Sequence, residues 1–355
     1  MAAISAVKYA KLKTLKKILC ASVFLTEYGG AEARTYLEEQ VGPGYSISYW
    51  NLNENPITKE NYNDSHPLKT CDILLGDTFL GEKYARFLKE SSVKWLHSSS
   101  AGVDKLTGIN DFKDYLEDVG FENALVITRT SYVESMVVYC LAQICSHQHG
   151  LDVYRQQEAQ NLWKKTMKVR PLSSKVVGIL GVGDVGGSIA AACKQALNMR
   201  CVGYSSRTTQ KENFDHIYTN DLDSLLAECD FVVNTLPSSP ATKHLLSGDR
   251  LKSAAGKSPV FINVGRGSII DEDSIIRAVD SNWISHAVLD VVEVEPLPAD
   301  SKLWGNPKVT ITPHISGGPV AEITYPFVVD SFVANLKLLK EDKPLQLVVD
   351  YEKGY

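Results

Sequence analysis

The stretch KVVGILGVGDVGGSIAAACKQAL, residues 175–197, decides the fold. It opens on a run rich in Val, Ile and Leu, the composition of a strand buried on both faces of a parallel sheet. Without a break it enters Gly181-Val182-Gly183-Asp184-Val185-Gly186, and then small apolar residues (Ile189, Ala190, Ala192, Cys193) that read as a helix. Glycines at this spacing let the backbone turn tightly and approach a pyrophosphate, whose charge is met by N–H groups at the helix start. The pattern is weak alone, but a strand before it and a helix after it supply the context that gives it weight. Residues 181–186 are therefore read as the phosphate-binding turn of a dinucleotide site.

Working outward, apolar runs alternate with amphipathic ones in both directions, the pattern of parallel sheets with crossover helices. Downstream lie CVGYSS at 201, FVVNTLP at 231, PVFINVG at 259, SHAVLDVV at 285 and KVTITPH at 308. Upstream a separate series holds ILCASVFL at 18, SISYW at 46, CDILLGD at 71, VKWLHS at 93 and ALVITR at 124. Between the two series, Ser131 and Glu134 read as a capping box opening a helix with Val133, Val137, Leu141 and Ile144 on one face. After Pro319, Val320, Ile323, Phe327, Phe332, Leu336 and Leu339 fall near helical spacing, with Pro326 expected to kink the helix. A length of 355 residues fits two domains. The fold class expected is α/β, with two doubly wound parallel-sheet domains.

Which dinucleotide is favoured turns on the end of the second strand, where an acid binds the ribose 2′-OH of NAD and a basic group accommodates the 2′-phosphate of NADP. The chain reads Tyr204-Ser205-Ser206-Arg207-Thr208, with no acid between Gln195 and Lys211. Arg207 with the hydroxyls of Ser205, Ser206 and Thr208 can surround a phosphate dianion. NADP(H) is the expected cofactor, with NAD(H) as the alternative.

Lys plus Arg total 37 and Asp plus Glu 42, a formal charge of -5 that offers no overall field for nucleic acid or an anionic membrane. Apolar runs stop well short of the roughly 18 residues that span a bilayer. The seven cysteines form an odd set without a C-x-x-C pair, so they are read as free thiols in a reducing, cytoplasmic setting. A basic leader over 1–17 carries Lys8, Lys11, Lys13, Lys16 and Lys17; a mitochondrial presequence would share its charge but also contain arginine. His147 and His149 form an H-x-H pair, but residues two apart on a helix do not face one way, so no metal site is expected. His97, beside Ser98-Ser99-Ser100, is a weaker candidate for a pocket wall.

Three polar residues stand just beyond later strands: Arg266 after PVFINVG, Glu295 after SHAVLDVV and His314 ending KVTITP. Open α/β sheets bind ligands at such strand ends. A histidine can pass a proton to a carbonyl oxygen, a nearby carboxylate favours the imidazolium, and a guanidinium grips a carboxylate.

The chain resembles the D-isomer-specific 2-hydroxyacid dehydrogenase family through Gly181 to Gly186, Asn263-Val264-Gly265-Arg266-Gly267, Leu289-Asp290-Val291-Val292-Glu293-Val294-Glu295-Pro296 and Pro313-His314-Ile315-Ser316-Gly317. Ser-Arg-Thr after the second strand and the ending Val349 to Tyr355 look most like its glyoxylate/hydroxypyruvate reductase branch. The resemblance implies a Rossmann dinucleotide-binding domain over 141–317 and a discontinuous flavodoxin-like substrate domain over 18–140 and 318–355, with a cleft between them, in a homodimer. It implies that Arg266 holds a small 2-oxoacid, that His314 is the acid/base and that Glu295 supports it. The substrate carboxylate would meet Ser100, Ala101, Gly102 and Val103. Leu236, Pro237, Thr242, Val264 and Gly265 would wall the cofactor, and Asp290, Ser316 and Gly317 would contact the nicotinamide carboxamide. The implied reaction is reduction of a glyoxylate-, hydroxypyruvate- or pyruvate-like acid to the (R)-2-hydroxyacid. A dinucleotide-sensing corepressor-like regulator and an NAD-linked phosphoglycerate-type dehydrogenase are the alternatives, the latter disfavoured by Ser205 and Arg207.

Overall fold

The computed structural model describes residues 10–206, 210–318 and 321–351. Residues 1–9 of the leader, Arg207, Thr208, Pro319, Val320, the side chain of Ile323 and the ending from Glu352 lie outside the described residues. Contacts divide the chain into two compact units, Met1–Tyr132 with Pro319–Tyr355, and Val133–Gly318.

In the first unit, β1 (Lys17–Cys20), β2 (Ser46–Tyr49), β3 (Ile73–Gly76), β4 (Trp95–Ser98) and β5 (Val126–Arg129) form one sheet. The order is β2-β1-β3-β4-β5 with every pair parallel, the flavodoxin-like arrangement. Alternate residues serve opposite faces. Ile18, Cys20, Ile73, Leu75 and Trp95 pack on one side with helices Gly30–Val41 and Ala321–Lys340, while Leu19, Leu74, Leu96 and Ile127 pack on the other. The last helix supplies Phe332, whose ring lies 5.3 Å from that of Trp95. Beyond it the chain returns along β5, where Arg129 N–H donates to Leu347 O at 3.2 Å and Val349 N–H to Ile127 O at 2.9 Å. This covers an otherwise unpaired sheet edge. Pro326 sits in the second turn of the last helix, where its missing N–H removes one i→i−4 bond, the one to the carbonyl of residue 322, and the helix continues to Lys340.

The second unit holds β6 (Val176–Leu180), β7 (Arg200–Ser205), β8 (His216–Thr219), β9 (Phe231–Asn234), β10 (Val260–Asn263), β11 (His286–Leu289) and β12 (Val309–Ile311). Their order is β12-β11-β10-β9-β6-β7-β8, all parallel. The direction of winding reverses at β6, so a crevice opens at its carboxyl end. Val177, Ile179, Val233 and Ile262 face the core shared with helices Val133–His149 and Asp184–Leu197; Leu180, Val232, Phe261 and Leu289 face the opposite core. Helix Val133–His149 belongs to this unit along its length, because Cys140 and Ile144 are buried in its core, and the division therefore falls at Tyr132/Val133 rather than at 140/141.

The architecture agrees with the α/β expectation, with local differences. The strand expected over 18–25 ends at Cys20, because Ser22 and Val23 turn away to bond Asp77, and Phe24–Tyr28 coils into a helical turn. Strand β8 was not expected: HIYT is a short, half-exposed edge without a long apolar run.

Candidate active site

The proposed site elements of the second unit all follow the carboxyl ends of its strands. In spatial order they run from His314 after β12, through Asp290 and Glu295 after β11, Arg266 after β10 and Leu236 after β9, to the glycine turn after β6 and Ser205 ending β7. With roughly 4.8 Å between strands, β7 to β10 spans about 14 Å, a length suited to an extended dinucleotide.

Sequence dictates the glycine turn sterically. Gly181 has φ +97°, and a Cβ on Gly186 would stand 1.9 Å from Gly181 O, so the helix begins directly against the turn. A Cβ on Gly183 would meet nothing within 4 Å, leaving open space before the helix Asp184–Leu197, which starts with Asp184, Val185 and Gly186. The first N–H groups of a helix have no partner within it. That open approach and those donors fit a pyrophosphate, and the absence of an acid at Ser205-Ser206 fits a dinucleotide without a 2′-OH bond to a carboxylate.

Two buried asparagines shape the neighbouring loops. Asn234 and Asn263 end β9 and β10 in register, and Asn234 Nδ2 donates to Asn263 Oδ1 at 2.9 Å. Asn234 Oδ1 accepts from Leu236 N–H, Asn263 Oδ1 from Gly265 N–H, and Asn263 Nδ2 donates to Arg266 O. Val264 is buried beneath this turn. Pro237 O accepts from Thr242 Oγ1 at 2.6 Å, closing the adjacent loop on itself.

His314 and Glu295 are paired: His314 Nδ1 lies 2.9 Å from Glu295 Oε2, with half of the histidine side chain exposed. Glu295 Oε1 also accepts from Val292 N–H at 3.3 Å. His314 occupies the left-handed region at φ +55°, unusual for a side-chain-bearing residue. Asp290, 2% exposed, supports that turn: its Oδ1 accepts from Thr312 Oγ1 and Ile315 N–H, and Oδ2 from Ser316 N–H. Gly317 follows, half-buried. Arg266 is half-buried, with Nη1 donating to Gly265 O at 2.8 Å. The next residue, Gly267, presses so closely on the Glu295 loop that a Cβ there would lie 1.9 Å from Val292 O.

In the first unit the loop after β4 has its carbonyls tied, and its amides are also tied at Ser99, to Gly76 O, and at Ser100, to Ser98 Oγ, before opening at Ala101. Ser99 O accepts from Tyr132 OH, Ser100 O from Ser98 Oγ, Ala101 O from Arg129 Nη1 and Gly102 O from Thr78 Oγ1. The N–H groups of Ala101, Gly102 and Val103 have no bond to another group among the described residues, an arrangement of donors suited to an anion. Asp77, at the carboxyl end of β3, accepts from Ser22 Oγ at 2.7 Å, Val23 N–H at 2.6 Å and Ser99 Oγ, tying three loops together. Burial pushes its carboxyl up to about 6.

His97 is a correction. It is fully buried, with Nδ1 2.7 Å from Thr128 Oγ1, and burial pushes its imidazole down to about 3, so it is a neutral core residue rather than a pocket wall. The His147 ring lies tilted against that of His286, centroids 4.3 Å apart, whereas His149 has no such contact among the described residues. Asp77, Asn234 and Asn263 were missed as site residues. A signal existed for the asparagines, since FVVN and VFIN are equally long apolar runs with the same polar last residue.

The D-isomer specific 2-hydroxyacid dehydrogenase NAD binding domain matches residues 141–316. Glyoxylate/hydroxypyruvate reductase A of Photorhabdus laumondii is 31% identical over 225 residues, which cover 62% of this chain and 68% of that protein. The chain belongs to the D-isomer specific 2-hydroxyacid dehydrogenase family. Within this family, glyoxylate/hydroxypyruvate reductase B of Serratia proteamaculans is 39% identical over 167 residues, 46% of this chain and 50% of that protein, so the chain spans about half the length of that curated relative. An NADPH-dependent glyoxylate/hydroxypyruvate reductase of Sinorhizobium meliloti, solved with NADP and sulfate, shares the family fold at a TM-score of 0.77 and 23% identity, covering 96% of this chain and 100% of that one. Among the described residues, no helix is long and apolar enough to cross a membrane.

Proposed function

We propose that the protein reduces a small 2-oxoacid of the glyoxylate or hydroxypyruvate type to the (R)-2-hydroxyacid, with NADPH as preferred donor and NADH as the weaker one. The observation that carries this reading is the His314–Glu295 pair, on strand ends adjoining that of Arg266 and in line with the open glycine turn. The reductase activities of the Serratia proteamaculans and Photorhabdus laumondii relatives, and the NADPH dependence of the Sinorhizobium meliloti enzyme, support the same chemistry.

When bound, NADPH supplies a hydride to C2 of the oxoacid. Glu295 engages His314 Nδ1 and orients the ring, so Nε2 is the nitrogen that gives a proton to the carbonyl oxygen. Arg266 grips the substrate carboxylate, a pairing that suits its planar fork of donors. The open amides of Ala101, Gly102 and Val103 serve a carboxylate in the same way. Arg207 and Thr208, with Ser205 and Ser206, select the 2′-phosphate. Most of the rate comes from holding these groups in place before reaction.

A homodimer and a cytoplasmic location complete the proposal. Leu162 is 46% exposed and its neighbour Trp163 100% exposed, an apolar pair that a second copy of the chain would cover. The cysteines are all free and six are buried, as a reducing compartment allows.

Steady-state assays of 2-oxoacids with both cofactors test the function. His314→Gln is expected to lower kcat by a factor on the order of 10² to 10⁴ while NADPH affinity changes little. Tight NADPH binding by the unaltered protein without turnover of any 2-oxoacid would instead support a sensor.

A further inference from the structure

The cations flanking the β6–β7 half of the second sheet have carboxylate partners: Lys175 pairs with Asp230, Lys194 with Asp215 and Arg200 with Glu228. Lys211 differs. No carboxylate among the described residues pairs with it; its ammonium donates instead to two backbone carbonyls, Val182 O at 2.5 Å and Gly183 O at 3.1 Å. These belong to the first half of the glycine turn. The side chain passes over Gly187, where a Cβ would come within 3.4 Å of both Cε and Nζ. A positive charge is thus fixed on the turn by neutral acceptors.

An ammonium has three N–H donors, and two carbonyls use two of them. The third can bond an incoming anion without loss of the other two. Position indicates which anion. Lys211 follows the segment that leaves β7 and reaches back to the turn that leaves β6, so its ammonium lies between neighbouring strand ends, where a Rossmann unit receives the adenosine ribose. The adjoining Ser205-Ser206 stretch carries hydroxyls and no acid.

We propose that Lys211 is a cofactor-binding residue that takes the 2′-phosphate of NADP(H). The inference rests on reading this unit as a dinucleotide site, and it assigns a second cation besides Arg207. A charge-assisted bond to a dianion sets the size of the effect, about 10- to 100-fold in affinity. A lysine that merely props the turn would affect every adenine nucleotide alike.

Calorimetric titration of the full chain with 2′,5′-ADP and with 5′-AMP separates these roles. For Lys211→Gln, binding of 2′,5′-ADP is expected to weaken about 10- to 100-fold, 5′-AMP binding by a much smaller factor, and the NADPH-to-NADH affinity ratio to fall in parallel. Lys211→Arg is expected to recover most of the loss. Equal weakening of both nucleotides, or no change in either, would overturn the proposal. Failure of the unaltered protein to bind either nucleotide would overturn the dinucleotide reading beneath it. Selective loss in Arg207→Gln with none in Lys211→Gln would overturn the role of Lys211 alone.

Discussion

Asp290 holds His314 through the backbone: its carbonyl oxygen accepts the His314 N–H at 2.9 Å, while its carboxylate receives the two N–H groups that follow. A left-handed conformation at a non-glycine residue costs on the order of 1 kcal/mol or more, and persists where its surroundings determine it. The aspartate therefore sets the direction in which the imidazole leaves the chain.

Asp290→Asn keeps the size of the side chain but replaces one acceptor oxygen with a donor. Losing acceptors for buried N–H groups costs about 1–3 kcal/mol each. The expected outcome is a kcat reduced about tenfold or more and a lower unfolding midpoint, read by steady-state kinetics and denaturant melts. A variant with unchanged kcat at saturating NADPH, altered only in cofactor affinity, would contradict the positioning role.

Gly267→Ala and Gly183→Ala should behave in opposite ways. At 267 the new methyl meets the backbone of Val292 at 1.9 Å, and neither chain can yield without moving the loops of Arg266 and Glu295. Loss of about 3 kcal/mol or more, with collapse of activity, is expected. At 183 nothing stands within 4 Å, so the fold should keep its stability while dinucleotide binding weakens as the methyl enters the open approach. Urea unfolding beside NADPH titration distinguishes the two.

The buried Asp77 and His97 give the first unit opposing pH dependences. Burial raises the folded-state carboxyl of Asp77 from 3.8 to about 6, so the folded chain holds this proton more tightly than the unfolded one. Its contribution is present below about pH 4, is lost as pH rises to about 6, and amounts to roughly 3 kcal/mol. His97, lowered from 6.5 to about 3, has the other sign: its contribution is present above pH 6.5 and is lost as pH falls toward 3. Urea unfolding from pH 4 to 7 checks both. Relative to the unaltered chain, Asp77→Asn should gain stability as pH rises, whereas His97→Asn should flatten the acid limb.

Most strands were legible because a two-faced parallel strand is a continuous apolar run, and VVGIL, FVVN, VFIN and HAVL all have that form. The glycine turn was legible for steric reasons that depend on a few adjacent residues. What escaped depends on partners distant in the chain. The strand expected through Leu25 stops because Asp77, some fifty residues on, captures Ser22 and Val23. The use of Asp290 as a turn support, and the left-handed backbone of His314, follow from bonds between the ends of β11 and β12 that no local pattern encodes. In the sequence Lys211 stands out only as the end of an acid-free interval, since nothing in its neighbours shows that it reaches back to Val182 and Gly183.

The closing helix Ala321–Lys340 also has a consequence for the order of synthesis. Residues of the second unit are contiguous, from Val133 to Gly318, whereas the first unit waits for a segment made after it. During translation the second sheet can close while Trp95 still lacks Phe332 and β5 still has an open edge. A ribosome that stalls near residue 318 thus releases a chain whose earlier half is the unfinished one, with a naked apolar sheet face and a sticky strand edge. Quality control would meet the defect at the front of the molecule although the missing piece lies at the back.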